Sequence, residues 1–210
     1  MTEALAIEDK KPLTGGMLWF AAIILATANF VAVLDMTIAN VSVPTISGGL
    51  GASSSQGTWV ITSYAVAEAI TVPLTGWLAS RFGAVRVFVT AIAAFGLFSA
   101  LCGLASSLGM LVLARICQGF AGGPLMPLSQ TLLLRIFPKE KATAATALWS
   151  MTTLVAPVLG PILGGYICDN YSWHWIFLIN LPIALGCCVM AWQLLKRYGD
   201  VLVRNTIDVI

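Results

Sequence analysis

The 210-residue chain is 59% hydrophobic and only 10% charged, and its mean hydropathy is +0.91. Those values lie far outside the range of soluble globular domains and identify a membrane protein. The formal net charge of +2 does not point to nucleic acid, because ten of the 11 basic residues sit beside apolar runs, where membrane orientation requires them.

In chain order, residues 1–16 read as a polar tail carrying Lys10 and Lys11. Six apolar segments follow, at about 17–39, 58–79, 84–105, 109–131, 142–166 and 175–195, each close to the length that a helix needs to cross the hydrocarbon. The first is longer than the apolar stretch of a signal peptide and five more follow it, so it reads as an uncleaved span. Arg81 and Arg86 lie in the second connection, Arg135, Lys139 and Lys141 in the fourth, and Lys196, Arg197 and Arg204 in the final segment, 196–210. The first, third and fifth connections, near 40–57, 106–108 and 167–174, carry no basic residue, so the positive-inside rule puts both termini in the cytoplasm. Aromatic residues agree: Trp59, Tyr166, Tyr171, Trp173 and Trp175 mark the outer boundary, and Trp19, Trp77 and Trp192 the inner one.

Three ionisable residues fall inside the spans, where charges are expensive and normally face inward in pairs. Asp35 is expected about 6 Å below the outer end of span 1, and Arg115 about 9 Å below the same surface in span 4. The matching depths predict an ion pair if the two helices are neighbours. A carboxylate held between desolvation and a guanidinium can exchange a proton when its pocket opens or fills; capping or snorkelling at the interface is the alternative role for Asp35. Glu68, about 15 Å deep in span 2, can face a substrate cavity and attract cations, or serve as a hydrogen-bonded structural group.

Cys102, Cys117, Cys168, Cys187 and Cys188 form no CxxC pair and read as packing residues. His174 is the only histidine, which removes a multi-histidine metal site. No HExxH, GxSxG or Walker sequence is present, so hydrolytic enzymes lack their groups and the chain does not read as an enzyme. A channel finds no filter sequence or acidic ring. A non-transporting assembly subunit, or the remnant of a truncated transporter, remains an alternative.

"VPLTGWLAS" at 72–80 and "GPILGGYIC" at 160–168 align Pro73 with Pro161 and Gly76 with Gly164, and the same offset lays spans 1–3 over spans 4–6. Three spans per repeat make the copies inverted in the membrane, a transporter device.

Four stretches, "LDMTIANVSVP" (34–44), "GWLASRFGAVR" (76–86), "LARICQGFAGGPLMPLSQ" (113–130) and "APVLGPILGGYICDNYSWHWIFLINLP" (156–182), occur in an order and spacing that resemble the major facilitator superfamily, specifically its EmrB/QacA-type drug:proton antiporters. The resemblance implies an all-α membrane protein of six transmembrane helices, equivalent to the N-terminal half of such a transporter and built from two inverted three-helix repeats. "VRNTIDVI" at the C-terminus resembles the approach to a further span, so the chain is expected to stop before one. By the same resemblance Asp35 and Arg115 take part in proton coupling. Gly76, Arg81, Gly83 and Arg86 form a cytoplasmic gate, with glycines allowing close approach and arginines bonding helix-end carbonyls. Ser80 stands where the family usually has an acid. Pro157, Gly160, Pro161, Gly164 and Gly165 form the antiporter motif, with Ala156 in place of its first glycine; ordinary packing is the alternative for these residues. The implied activity is efflux of hydrophobic, often cationic, small molecules across the plasma membrane, the bacterial inner membrane, driven by a proton gradient without a cofactor. The implied partners are protons, the lipid bilayer, a C-terminal half, a periplasmic adaptor and an outer-membrane channel.

Overall fold

The computed structural model describes residues 15–196. The expected terminal segments lie almost wholly outside them, with Lys10, Lys11, Arg197 and Arg204. Among the described residues the chain is helical and has no strand: α1 (Gly16–Gly49), α2 (Ser54–Gly57), α3 (Trp59–Phe82), α4 (Ala84–Gly103), α5 (Leu108–Gly122), α6 (Leu125–Ile136), α7 (Lys139–Asn170), α8 (Trp175–Leu178) and α9 (Asn180–Leu195). The bundle makes six passes, formed by α1, α3, α4, α5 with α6, α7, and α8 with α9.

Several boundaries differ from those read in the hydropathy. α1 does not end near residue 39. Its apolar run stops at Asn40, but Ser42 Oγ bonds the Ile38 carbonyl and Ser47 Oγ the Val43 carbonyl, both at 2.8 Å, and the helix persists to Gly49. The connection expected at 40–57 therefore shrinks, and it carries α2, whose Ser53 and Gln56 form a reciprocal capping box. The fourth pass is two helices because Pro124 has no N–H and its ring crowds the preceding turn. Pro182 has the same effect in the sixth pass: it cannot donate to the Leu178 carbonyl, and α8 gives way to α9 there.

Five of the passes are long and apolar enough to cross a membrane. α3 is not among them despite its 24 residues, because Glu68, Pro73 and several hydroxyl residues dilute its apolar character. Packing, rather than hydropathy, places it in the bundle as the second pass.

The packing has an internal symmetry. α1 lies chiefly on α7 and α3 on α5, α4 packs on α9, and the contact of α4 with α5 is matched by that of α1 with α9. Exchanging passes 1–3 for passes 4–6 maps α1–α7 onto α3–α5 and α4–α5 onto α1–α9, and returns α4–α9 to itself, as an inverted repeat demands. The sequence pairing of Gly76 with Gly164 does not extend to their surroundings, since Gly164 packs on Ile38 and Ser42 whereas a side chain at Gly76 meets nothing within 4 Å.

Close helix approach follows from small residues. On α7, Ala156, Gly160 and Gly164 recur every four residues and are buried against α1. A Cβ on Gly160 would collide with the Thr37 side chain, and Thr37 Oγ1 donates to the Ala156 carbonyl at 3.4 Å. Gly165, the remaining glycine of the motif, faces open space. Gly160→Val should therefore destabilise the bundle by about 1–3 kcal/mol, the usual range for overpacking, and lower the thermal midpoint in detergent. Gly165→Ala should leave it unchanged. Equal effects of the two substitutions would show that the α1–α7 contact is looser than its geometry implies.

Candidate functional site

The buried core comprises two apolar clusters. One runs from Leu18 to Ala32 with Phe88, Phe95 and Leu133; the other includes Leu34, Ile38, Ala39, Ile176 and Phe177. Asp35 sits at their seam on α1, 1% exposed. It faces Arg115 of α5, which is fully buried, and Arg115 Nη1 reaches Asp35 Oδ2 at 2.5 Å. The pairing expected from matched depth is present.

The structure surrounds this pair with groups that the sequence reading did not single out. Gln118, one turn beyond Arg115, donates from Nε2 to Asp35 Oδ1 at 3.1 Å and accepts from Arg115 Nη1 at 2.8 Å. Asn180 at the start of α9 donates to Asp35 Oδ1 at 2.7 Å and to Ser99 Oγ of α4 at 3.0 Å. Ser99 in turn donates to the Phe177 carbonyl at 2.9 Å. Arg115 Nε donates to the Val60 carbonyl of α3 at 3.1 Å, and its Cζ lies 4.2 Å from the centre of the Tyr64 ring. Asp35 thus accepts three hydrogen bonds, and the network ties together α1, α3, α4, α5 and α9. The i,i+3 spacing of Arg115 and Gln118 was a readable signal for one of these residues. Asn180 gave none, because its partners come from distant segments.

A second polar chain crosses the α1–α7–α6 contact. Asn29 Nδ2 donates to Thr153 Oγ1 at 2.7 Å, and Trp149 Nε1 donates to Ser129 Oγ at 2.9 Å. Glu68 is half-buried on α3, one turn from Tyr64, and makes no hydrogen bond or ion pair among the described residues.

At the end of the bundle that carries the basic residues, Gly83 has φ 90°, a conformation that favours glycine, and turns α3 sharply into α4. Arg81 and Arg86 are exposed on either side of it. Among the described residues Arg81 makes no bond to a helix-end carbonyl; with Arg86, Phe82, Thr90 and Phe120 it lines an open groove of about 590 Å³ between α3, α4 and α5. At this turn Gly83 N–H bonds the Ala79 carbonyl at 3.0 Å. Gly76 likewise permits no close approach within this bundle. It borders a smaller cavity of about 280 Å³ with Ser80 and Arg135, and Ser80 Oγ turns back to the Trp77 carbonyl at 2.8 Å.

Pro157 and Pro161 lie on the exposed side of α7, which remains one continuous helix through both. No disulfide forms among the five cysteines; Cys102 donates to Gln118 Oε1 at 3.4 Å. His174 shares a 2.6 Å hydrogen bond with Ser172 and stacks on Trp173. No cluster of metal-ligating side chains occurs among the described residues.

Comparison with known proteins agrees with this architecture. Residues 25–206 match the sequence model of the Major Facilitator Superfamily. The chain is 53% identical to the multidrug export protein EmrB of Escherichia coli (strain K12), over 97% of this chain and 40% of that protein. It is 56% identical to the probable multidrug resistance protein EmrY of the same strain, over 88% of this chain and 36% of that protein. To the fatty acid resistance protein FarB of Neisseria gonorrhoeae it is 52% identical, over 96% and 40%. The chain therefore spans about 40% of the length of these curated relatives. Among solved structures, the peptide transporter POT superposes with a TM-score of 0.73 at 16% identity, covering 83% of this chain and 38% of that one. A bacterial homologue of the human lysosomal transporter Spinster, in an inward-facing and unoccupied conformation, gives 0.68 at 17% identity over 88% and 43%. Together with the six-pass bundle and its buried charge pair, these matches show that the chain belongs to the Major Facilitator Superfamily.

Proposed function

We propose that this chain forms the N-terminal half of a proton-coupled multidrug efflux transporter of the bacterial inner membrane, exchanging drug for protons by alternating access, with both termini in the cytoplasm. The observation that carries this reading is the Asp35–Arg115 pair, buried between two apolar clusters and held by side chains from separate helices.

In the closed arrangement the Asp35 charge is neutralised by Arg115 and hydrogen-bonded by Gln118 and Asn180. Helix movement that draws Arg115 away leaves a carboxylate in a low-dielectric site, where it takes up a proton and becomes neutral. Return of the guanidinium expels that proton. Coupling follows if the two events occur with the cavity open to opposite sides. The energy source is then the proton gradient, with no cofactor.

Substrates follow from the names of the relatives, which denote multidrug export and fatty acid resistance; hydrophobic small molecules, often cationic, are the class assigned to this chain. Glu68, which forms no ion pair among the described residues, supplies negative charge for such cations. Gly76, Arg81, Gly83 and Arg86 belong to the cytoplasmic gate, and Pro157, Gly160, Pro161, Gly164 and Gly165 on α7 form the antiporter motif. A C-terminal half completes the substrate cavity, because sites in such folds lie at the interface of repeats. A periplasmic adaptor and an outer-membrane channel carry the drug onward.

Three outcomes test this reading. In a complete transporter carrying this half, Asp35→Asn should reduce proton-coupled efflux to the level of transporter-free membranes while expression and membrane insertion persist. Unchanged efflux with an unchanged pH dependence would make Asp35 structural. A cysteine at Ser54 should react with an impermeant thiol reagent in intact cells above the background of the parent chain, and one at Lys139 should not; the reverse pattern would invert the topology. The 210-residue chain expressed alone should give no proton-gradient-driven efflux, and efflux from it would show that a second half is dispensable.

A further inference from the structure

Tyr64 stands apart among the aromatic residues. It is fully buried, yet it lies on α3, the least apolar pass, and its hydroxyl has no hydrogen-bond partner among the described residues. A buried tyrosine normally satisfies its hydroxyl; here the ring, rather than the hydroxyl, makes the notable contact. Its face covers Arg115, with Cζ 4.2 Å from the ring centre, well within cation–π range. Phe177 contributes a second ring at 5.5 Å. Arg115 Nη2 has no hydrogen-bond partner among the described residues, so the rings supply what that edge of the guanidinium lacks.

The seat for Tyr64 is built by α5, the helix that carries Arg115. A Cβ at Gly119 would run into the Tyr64 carbonyl oxygen, and one at Gly122 would run into the Tyr64 hydroxyl. Gly123 is closed in by Thr71 and the Glu68 backbone. The "GFAGG" run thus lets α3 lie flat enough on α5 for the ring to reach the guanidinium, four residues before the first of these glycines.

We infer that Tyr64 is a positioning residue for the Asp35–Arg115 pair: its ring holds the guanidinium against the carboxylate, and separation of α3 from α5 at Gly119 and Gly122 releases it. The assignment rests on the functional reading of that pair and adds the helix whose displacement governs it. The other titratable groups facing the pair are Glu68 on α3, Cys102 on α4 and, through Cys102, Cys117 on α5. α8 and α9 face it with Phe177 and Asn180, which carry no charge. Among the described residues Arg115 is the cation that contacts Asp35, so a displacement of the guanidinium acts directly on the carboxylate.

The test reads the Asp35 proton without requiring transport. A hydrophobic carbodiimide adds across its C=N bond to a protonated carboxyl, the acid proton moving to nitrogen, and the adduct on Asp35 is counted by mass spectrometry in membranes containing the chain at fixed pH. Tyr64→Met, close in volume but without a π face, should raise labelling by about two- to thirtyfold, the conversion of about 0.5–2 kcal/mol of cation–π energy at about 1.4 kcal/mol per factor of ten. Tyr64→Phe, which keeps the ring and removes the hydroxyl, should label like the parent. Gly119→Ala, with Tyr64 intact, should raise labelling by moving α3 off α5, and it stands as the independent variant if Tyr64→Met does not fold. Equal labelling of parent, Tyr64→Met and Gly119→Ala, or a rise with Tyr64→Phe as large as with Tyr64→Met, would overturn the assignment. Asp35→Asn abolishes the adduct and serves as the control. Because labelling does not depend on efflux, a failure here is distinguishable from a failure of the transport reading.

Discussion

A carboxylate and a guanidinium removed from water together form the constraint around which this bundle is organised. Taking either ion out of water costs several kcal/mol even after relaxation, and the pair recovers that cost only when its geometry is close and its remaining donors and acceptors are met. Asp35 meets the requirement with donors from Arg115, Gln118 and Asn180. Those donors come from α5 and α9, and Ser99 on α4 fixes Asn180 in turn. The helices are thereby bound to one register: sliding α1, α5 or α9 by a turn breaks a bond to a buried charge, and sliding α4 breaks the bond that fixes Asn180. Two apolar clusters flank the layer, yet neither specifies register as sharply, since apolar contacts in a bundle tolerate repacking.

Such a network can form only where backbones come close. Lipid supplies no hydrophobic force between helices, so contact depends on packing and small residues. The inverted pairs α1–α7 and α3–α5 both use glycine, but they draw it from non-equivalent partners. In the first pair Gly160 and Gly164 belong to pass 5; in the second Gly119, Gly122 and Gly123 belong to pass 4. The symmetry of the fold is thus a symmetry of contacts, not of the residues that produce them. Because α5 carries both Arg115 and the glycines that seat Tyr64, the charge and the surface that orients it are fixed by one helix.

The amount legible in the sequence varies with how local each signal is. The six passes followed from apolar runs, and Asp35 with Arg115 from depth counted along two helices. Helix ends were less legible, because hydropathy reports where polar residues begin, whereas a helix ends where its backbone hydrogen bonds do; α1 runs on to Gly49, and Ser42 and Ser47 satisfy their hydroxyls within it on carbonyls one turn back. Asn180 and Ser99 were not legible, since an amide or hydroxyl in an apolar run takes its meaning from partners 81 to 145 positions away. Gly76 and Gly165 make no close approach within this bundle, in contrast to Gly160 and Gly164. A helix has several faces, and the position on the face decides which glycine meets a neighbour.

The α7 motif shows how far that distinction goes. Ala156, Gly160 and Gly164 repeat at i,i+4 and form one buried edge against α1. Pro157 and Pro161 follow the first two of them by a single residue, about 100° around the helix, and are exposed beside Leu154, Val158 and Ile162. Each proline removes an N–H and so frees the carbonyl four residues earlier, at Thr153 and at Pro157 itself. The helix is therefore weakened along the side that has no neighbour in this bundle and tightened along the side that does. The same run of residues thus gives α7 a close contact with α1, the helix that carries Asp35, on one face and two missing backbone bonds beside it, without interrupting the helix.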